Sequence, residues 1–206
     1  MTRYAITRDK FFSAGEKKGL LRICRDRATS DLIAGRKTWI TRYLLLHLAL
    51  NTGLRVSEIA DLNVGDLRMN GQDNYLIVQN GKGKRKRDVY LDTEIVGHLQ
   101  EYLEIREKEW EEVIEETAPL FSGRGGKHYT TTALHISFKK AIEEAGLPRT
   151  YSIHSARHTY ATFLLAKSNN LRFVQKQLGH ASIAMTSLYA DVLPEMNQTL
   201  ANAILK

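Results

Sequence analysis

The chain has 206 residues, 43% hydrophobic and 26% charged. That supports a substantial folded core and excludes a low-complexity or fibrous chain. No run of residues is apolar for long enough to cross a membrane as a helix. The net charge of +7 excludes an acidic, solvating polypeptide and raises nucleic acid as a partner.

The charge is unevenly spread. Residues 101–116 hold eight Glu against one Arg and one Lys, a net of −6, which leaves +13 on the other 190 residues. Such asymmetry suits one face for a polyanion and another kept away from it. Cys24 is the only cysteine, so no disulfide can form within the chain, and a reduced, cytoplasmic setting is expected without a secretory signal. In LLRICRD, Cys24 reads as a small core residue rather than a reactive thiol.

Residues 1–12 are too short for a domain. Ser13 to Glu16 has the pattern of a capping box, and the helix it opens should turn Leu20, Leu21 and Ile23 inward. A turn is expected over Asp31 to Gly35. A second helix from about Lys37 to Thr52, dense in Leu and Ala, should lie at the centre of the core, with Gly53 as its stop. Arg55 follows in NTGLRVSEIADL, at the junction with a short helix over Val56 to Leu62. There its side chain can leave the core for a cleft, with Glu58 three residues on to hold a basic neighbour.

From Asn74 the period changes from helical to alternating. YLIVQ and RDVYL predict an antiparallel pair, joined by the glycine-bearing turn NGKGKRK. This turn concentrates Lys82, Lys84, Arg85, Lys86 and Arg87, a cluster that repels itself unless an anion is near, so it is expected to lie on a phosphate backbone. Asp92 and Thr93 should cap a long helix through about Glu116 with an acidic, solubilising outer face. Residues 117–129 read as a loop whose Arg124 and Lys127 could touch phosphates. Thr130 to Thr132 should cap a helix that runs to Ala145 and stops at Gly146, and its N-terminus, near Thr131, could also hold a phosphate.

The stretch from His154 to Tyr189 organises the rest. His154 and Arg157 share a helical face. Asn170 can cap a second helix with Leu171, Val174 and Leu178 as its apolar stripe, and Gly179 stops it before His180. Ser182 can cap a third helix carrying Tyr189. Without the break at Gly179, His180 and Tyr189 would fall on opposite faces of one helix; with it, they can meet. A last helix is expected after Pro194, with Met196, Leu200, Ala203 and Ile204 on its apolar side.

These residues support chemistry on a phosphodiester. Two arginines can each donate paired bonds to phosphate oxygens and offset the charge of a pentacoordinate phosphorus. Histidines exchange protons near pH 7, and a tyrosine hydroxyl, of pKa about 10, becomes a feasible nucleophile where its anion is stabilised. No pattern of Asp and Glu suits a two-metal nuclease, and no phosphate-binding P-loop is present.

The segments TGLRVSE, NGKGKRKR, HSARH and QLGH, with a tyrosine nine residues after that last histidine, resemble the catalytic domain of the tyrosine recombinases, or phage-type integrases. The resemblance covers nearly the whole chain. It implies a mainly α fold with a small antiparallel β-sheet (α+β), over residues 1–206 as a single catalytic domain, with the separate N-terminal core-binding domain of the family absent. It implies that Arg55 and Arg157 clamp the scissile phosphate, that Lys82 protonates the leaving 5′ oxygen, and that His154 and His180 are the site histidines. Tyr189 would be the nucleophile, forming a 3′-phosphotyrosyl link; Glu58 and His158 would support the site. No metal, ATP or other cofactor is implied. The implied partner is double-stranded DNA, engaged by a homotetramer on paired sites that is monomeric when free, in a bacterial or phage-encoded, nucleoid-associated setting. The last helix resembles the element by which protomers of the family dock. Two other functions share the pattern: a non-catalytic DNA-binding regulator, and a type IB topoisomerase.

Overall fold

A computed structural model describes residues 7–69, 71–79 and 86–190. Its elements are α1 (Ala14–Ile33), α2 (Thr38–Thr52), α3 (Val56–Ala60), β1 (Leu67–Arg68), β2 (Tyr75–Val78), β3 (Arg87–Tyr90), α4 (Thr93–Lys108), α5 (Thr131–Glu144), α6 (Ile153–Ser168), α7 (Leu171–Leu178) and α8 (Ala184–Ser187). The fold is the expected one, mainly helical with a small antiparallel sheet in the order β1-β2-β3. Strand β1 was not foreseen; two residues are too few to show alternation.

Helix α2 is the axis of the core. Leu44, Leu45, Leu46, Leu48, Ala49 and Leu50 are all buried, because α1, α4, α5 and α6 all pack against it. A helix apolar on every side is stable only when so surrounded. The capping box at the start of α1 forms as expected: Ser13 Oγ accepts from Glu16 N (3.1 Å), and Ser13 N donates to Glu16 Oε2 (2.7 Å). Helix α1 runs three residues further than expected because Asp31 stays helical and buried, accepting from Arg36 Nε and Trp39 N, both at 2.8 Å. A second apolar cluster joins α6 to α7 through Ala161, Leu165, Val174 and Leu178, with Phe11 and Tyr189.

Helix α4 stops at Lys108 rather than near Glu116. Glu111 takes a left-handed φ of 54°, which turns the chain back so that Glu112 pairs with the buried Arg106 (2.8 Å). Trp110 meets the Tyr102 ring edge-on at 5.7 Å. Further helix would have stacked glutamates one turn apart and left Arg106 without its carboxylate. The acidic run therefore does more than solubilise.

Helices α2 and α4 also meet through His47 and His98, whose Nδ1 atoms are 2.9 Å apart. The Asn51 amide donates to His47 Nε2 (3.3 Å), so the His47 proton sits on Nδ1 and is given to His98. Burial, above all, holds both imidazoles well below their ordinary range, His47 at about 4 and His98 at about 3. Both are neutral when folded, whereas the unfolded chain takes up protons below about pH 6.5. Their contribution to stability is full above that pH and is lost as pH falls toward 4. The melting temperature should therefore fall steadily from pH 7 to pH 5, and His98→Gln should flatten that slope. An unchanged slope in the variant would contradict the assignment.

Candidate active site

The site is assembled on the C-terminal end of α7. The last carbonyls of a helix lack intrahelical partners and carry the negative end of its dipole. Here three consecutive carbonyls each receive a different arginine. Arg87 Nε donates to Gln177 O (3.1 Å), Arg157 Nη2 to Leu178 O (2.7 Å) and Arg55 Nη2 to Gly179 O (3.3 Å). Gly179 takes a left-handed φ of 63°, and a Cβ there would lie 2.9 Å from three atoms of the Arg87 side chain. The stop is thus required twice, by conformation and by space.

Each arginine is delivered by a different element. Arg55 precedes α3, after the left-handed Gly53 (φ 61°) ends α2. Arg87 opens β3, paired with Val78. Arg157 lies on α6, buried at 7% exposure, and its Nη1 also donates to Gly53 O (2.5 Å). One guanidinium thereby joins the ends of α2 and α7. Burial, and then the charge of Arg55, lower Arg157 to about 10, so it stays cationic at neutral pH.

Glu58 ties the cluster together. Its Oε1 accepts from Arg55 Nη1 (2.6 Å) and Arg87 Nη1 (2.8 Å), and its Oε2 from Arg55 N and Arg87 Nη2, both at 2.8 Å. Burial raises the acid, but the bonds and charge of Arg87, and then those of Arg55, outweigh it and hold the carboxyl at about 2. Three guanidiniums against one carboxylate leave an excess of two positive charges, a setting that attracts a phosphate.

Beyond Gly179 the chain folds over this cluster. His180 Nδ1 lies 2.9 Å from Thr186 Oγ1, and its ring stacks on Tyr189, centroids 6.2 Å apart and planes within 9°. The turn at Gly179 does bring the two together. Helix α8 is a single turn, preceded by Ile183 rather than capped by Ser182, and it ends before Tyr189. The Ser182 carbonyl, not its hydroxyl, takes a bond, from Met185 N at 3.3 Å. Tyr189 is only 3% exposed, and its hydroxyl is 3.1 Å from His158 Nδ1. Burial holds His158 and His180 at about 4, reinforced by His154 and Arg157 for the first and by Arg157 and Arg55 for the second. Both are neutral at pH 7, and a neutral imidazole is able to take up a proton.

The structure thus groups Arg55, Glu58, Arg157, His158, His180 and Tyr189. His154 is exposed, 6.1 Å from the His135 ring, at the rim of a recess of about 210 Å³ that His158 also lines. Burial, His135 and Arg157 lower its pKa. Lys82, Lys84 and Arg85 lie outside the described residues, as do the Arg124 side chain and the helix expected after Pro194. Lys86, Lys127 and Thr131 are exposed. Arg87, read from sequence as a phosphate contact on the loop, is instead turned inward onto Glu58, its side chain 12% exposed. The alternation of β3 carries that signal: Arg87 shares a face with the buried Val89, while Asp88 and Tyr90 point out. The role of Gln177 was also missed; its buried side chain accepts from Tyr90 N (3.2 Å) and ties β3 to α7.

Residues 16–196 match the model of the phage integrase family. The chain belongs to that family. Among its integrase relatives is the tyrosine recombinase XerC of Chlamydia caviae, 34% identical over 165 residues, which cover 80% of this chain and 51% of the relative. XerC of Caldanaerobacter subterraneus subsp. tengcongensis is 32% identical over 152 residues, or 73% of this chain and 41% of the relative. The chain spans about half the length of the curated relatives it matches. Among solved structures, the XerH site-specific recombinase bound to palindromic difH substrate, in a post-cleavage complex, superposes with a TM-score of 0.71 at 25% identity, over 94% of this chain and 52% of that one.

Proposed function

We propose that this integrase-family chain is a catalytic domain, a single one over residues 1–206, that cuts and rejoins double-stranded DNA at specific sites. The observation that carries this reading is the convergence of Arg55 and Arg157 on one helix end, with the segment bearing His180 and Tyr189 folded over it. Its relatives support it: the XerC proteins are named tyrosine recombinases, and the XerH site-specific recombinase is described in a post-cleavage complex with its substrate.

In this reading a DNA phosphate enters beside Arg55, the more open of the two clamping guanidiniums (24% exposed side chain), and is held between it and Arg157. Of the five N–H groups of Arg157, two are engaged by carbonyls, which leaves donors for phosphate oxygens. Tyr189 gives its proton to a neutral imidazole, His158 being already in contact, and its oxygen attacks phosphorus. The bond to the 5′ oxygen breaks, Lys82 supplies that oxygen's proton, and a 3′-phosphotyrosyl link remains. His154 and His180 balance charge and protons around the phosphate. A 5′ hydroxyl from another strand reverses the step. Because Tyr189 is buried, it must swing out of the α6–α7 cluster before it attacks. Exposed Lys86, Lys127 and Thr131, with Lys84, Arg85 and Arg124, would contact the DNA backbone. The working assembly is a homotetramer on paired sites, monomeric when free, acting in the bacterial cytoplasm at the nucleoid.

The test is a set of nicked duplexes that trap cleavage by loss of the short strand. A covalent protein–DNA adduct is expected, and Tyr189→Phe should abolish it, a loss of at least about 10³-fold, because the phenol is the only atom to which the strand can join. No adduct on any duplex would favour a DNA-binding regulator. Relaxation of supercoiled plasmid without site preference would favour a topoisomerase.

A further inference from the structure

We propose that Arg87 is a positioning residue of the cleavage reaction, setting the direction of the Arg55 guanidinium through the carboxylate they share; this rests on the function proposed above. Glu58 offers two oxygens with two acceptor directions each. All four are taken, two by Arg55 and two by Arg87. Arg87 approaches as a planar fork, both Nη atoms at 2.8 Å, which fixes the plane of the carboxylate and not only its place. Arg55 is fixed by the same plane, through one contact to Oε1 and one from its own backbone to Oε2.

Arg87 is itself held from two further sides. Its Nε bonds to Gln177 O, and its backbone belongs to β3, in register with β2 at Val78. The sheet, the end of α7 and the first clamping arginine are therefore linked through one side chain. Removal of Arg87 leaves Glu58 free to rotate about its terminal bond, and Arg55 follows. Arg157 is held independently by Gly53 O and Leu178 O and does not follow. Arg87 never touches phosphate; it acts on the reaction only through Arg55.

The experiment compares cleavage in a single turnover on two DNA substrates. One carries the natural phosphate. The other carries a methylphosphonate at the scissile position, where a methyl group replaces a charged oxygen and a guanidinium has less negative charge to offset. Arg87→Lys keeps the charge but not the fork, and Arg87→Gln removes both; melting curves show how each folds. Arg55→Ala gives the pattern of a lost clamp. We expect Arg87→Lys to lose about 10²-fold on phosphate and less than about 5-fold on methylphosphonate, the pattern of Arg55→Ala on a smaller scale. Equal losses on both substrates, or none on either, would overturn the proposal while leaving the function standing. Failure of the wild-type protein to form an adduct on either substrate would overturn both.

Discussion

Replacing Arg157 with alanine should cost both the fold and the reaction. The guanidinium is buried and donates to Gly53 O and Leu178 O, buried carbonyls at the C-terminal ends of two helices. Its removal leaves both carbonyls buried without donors, at about 1–3 kcal/mol each. Relief of one buried positive charge beside Arg55 and Arg87 offsets a part of this. A net loss of about 3 kcal/mol is expected, which for a chain of this size lowers Tm by about 6–12 °C. Adduct formation should fall by more than about 10³-fold, since loss of a single preorganised donor already costs about 10²–10³. Arg157→Lys separates the effects. Its ammonium reaches one carbonyl but cannot fork between two, so about half of the lost stability should return while most of the activity does not. A lysine variant that cleaves at the wild-type rate would remove Arg157 from the clamp.

Glu58→Gln should be nearly as severe. The amide has the shape of the carboxylate but neither its charge nor four acceptor directions, and three guanidiniums are left with no counter-charge. The carboxyl titrates at about 2 in the fold against an ordinary 4.5. That difference corresponds to about 3 kcal/mol of stability. The folded value is the lower one, so the contribution is fully present above about pH 4.5 and is lost as pH falls through 2. Between pH 5 and pH 8 the gap between wild type and variant, read from urea melts, should therefore be constant. A gap that widens with pH over that range would mean another group carries the effect. The histidine contribution, common to both proteins, changes their individual stabilities without changing the gap.

The sequence made the chemistry legible further than the geometry. Arg55, Glu58, Arg157, His180 and Tyr189 stand out only when read together, through the family resemblance of TGLRVSE, HSARH and QLGH with the tyrosine that follows; taken singly, each passes for an ordinary surface or core residue. Periodicity then located α2, α6 and α7, since their apolar stripes are long enough to repeat. Other features could not be read this way. The end of α4 depends on Arg106 finding Glu112, a pairing that the helical reading of an unbroken run of glutamates conceals. The supporting part of His158 comes from the family resemblance alone, since spacing along α6 does not say which histidine a tyrosine thirty-one residues later will touch. Arg87 was misplaced for a different reason. At the end of four basic residues in a row its charge draws attention, whereas its position in the strand, one pleat from Val89, decides where it points.

The anchoring of three arginines to successive carbonyls of α7 has a mechanical consequence. The spacing among the guanidiniums is set on one side of Gly179, and the distance to the Tyr189 oxygen on the other. His180 is itself tied back to α7, its N–H to Gln175 O and its carbonyl to Gln175 Nε2, both at 3.1 Å, so the segment from there to Tyr189 can carry the attacking atom toward or away from the phosphate without altering the grip on it. The molecule is built as a vice with one stationary jaw and one travelling jaw, and the travelling jaw begins beyond His180.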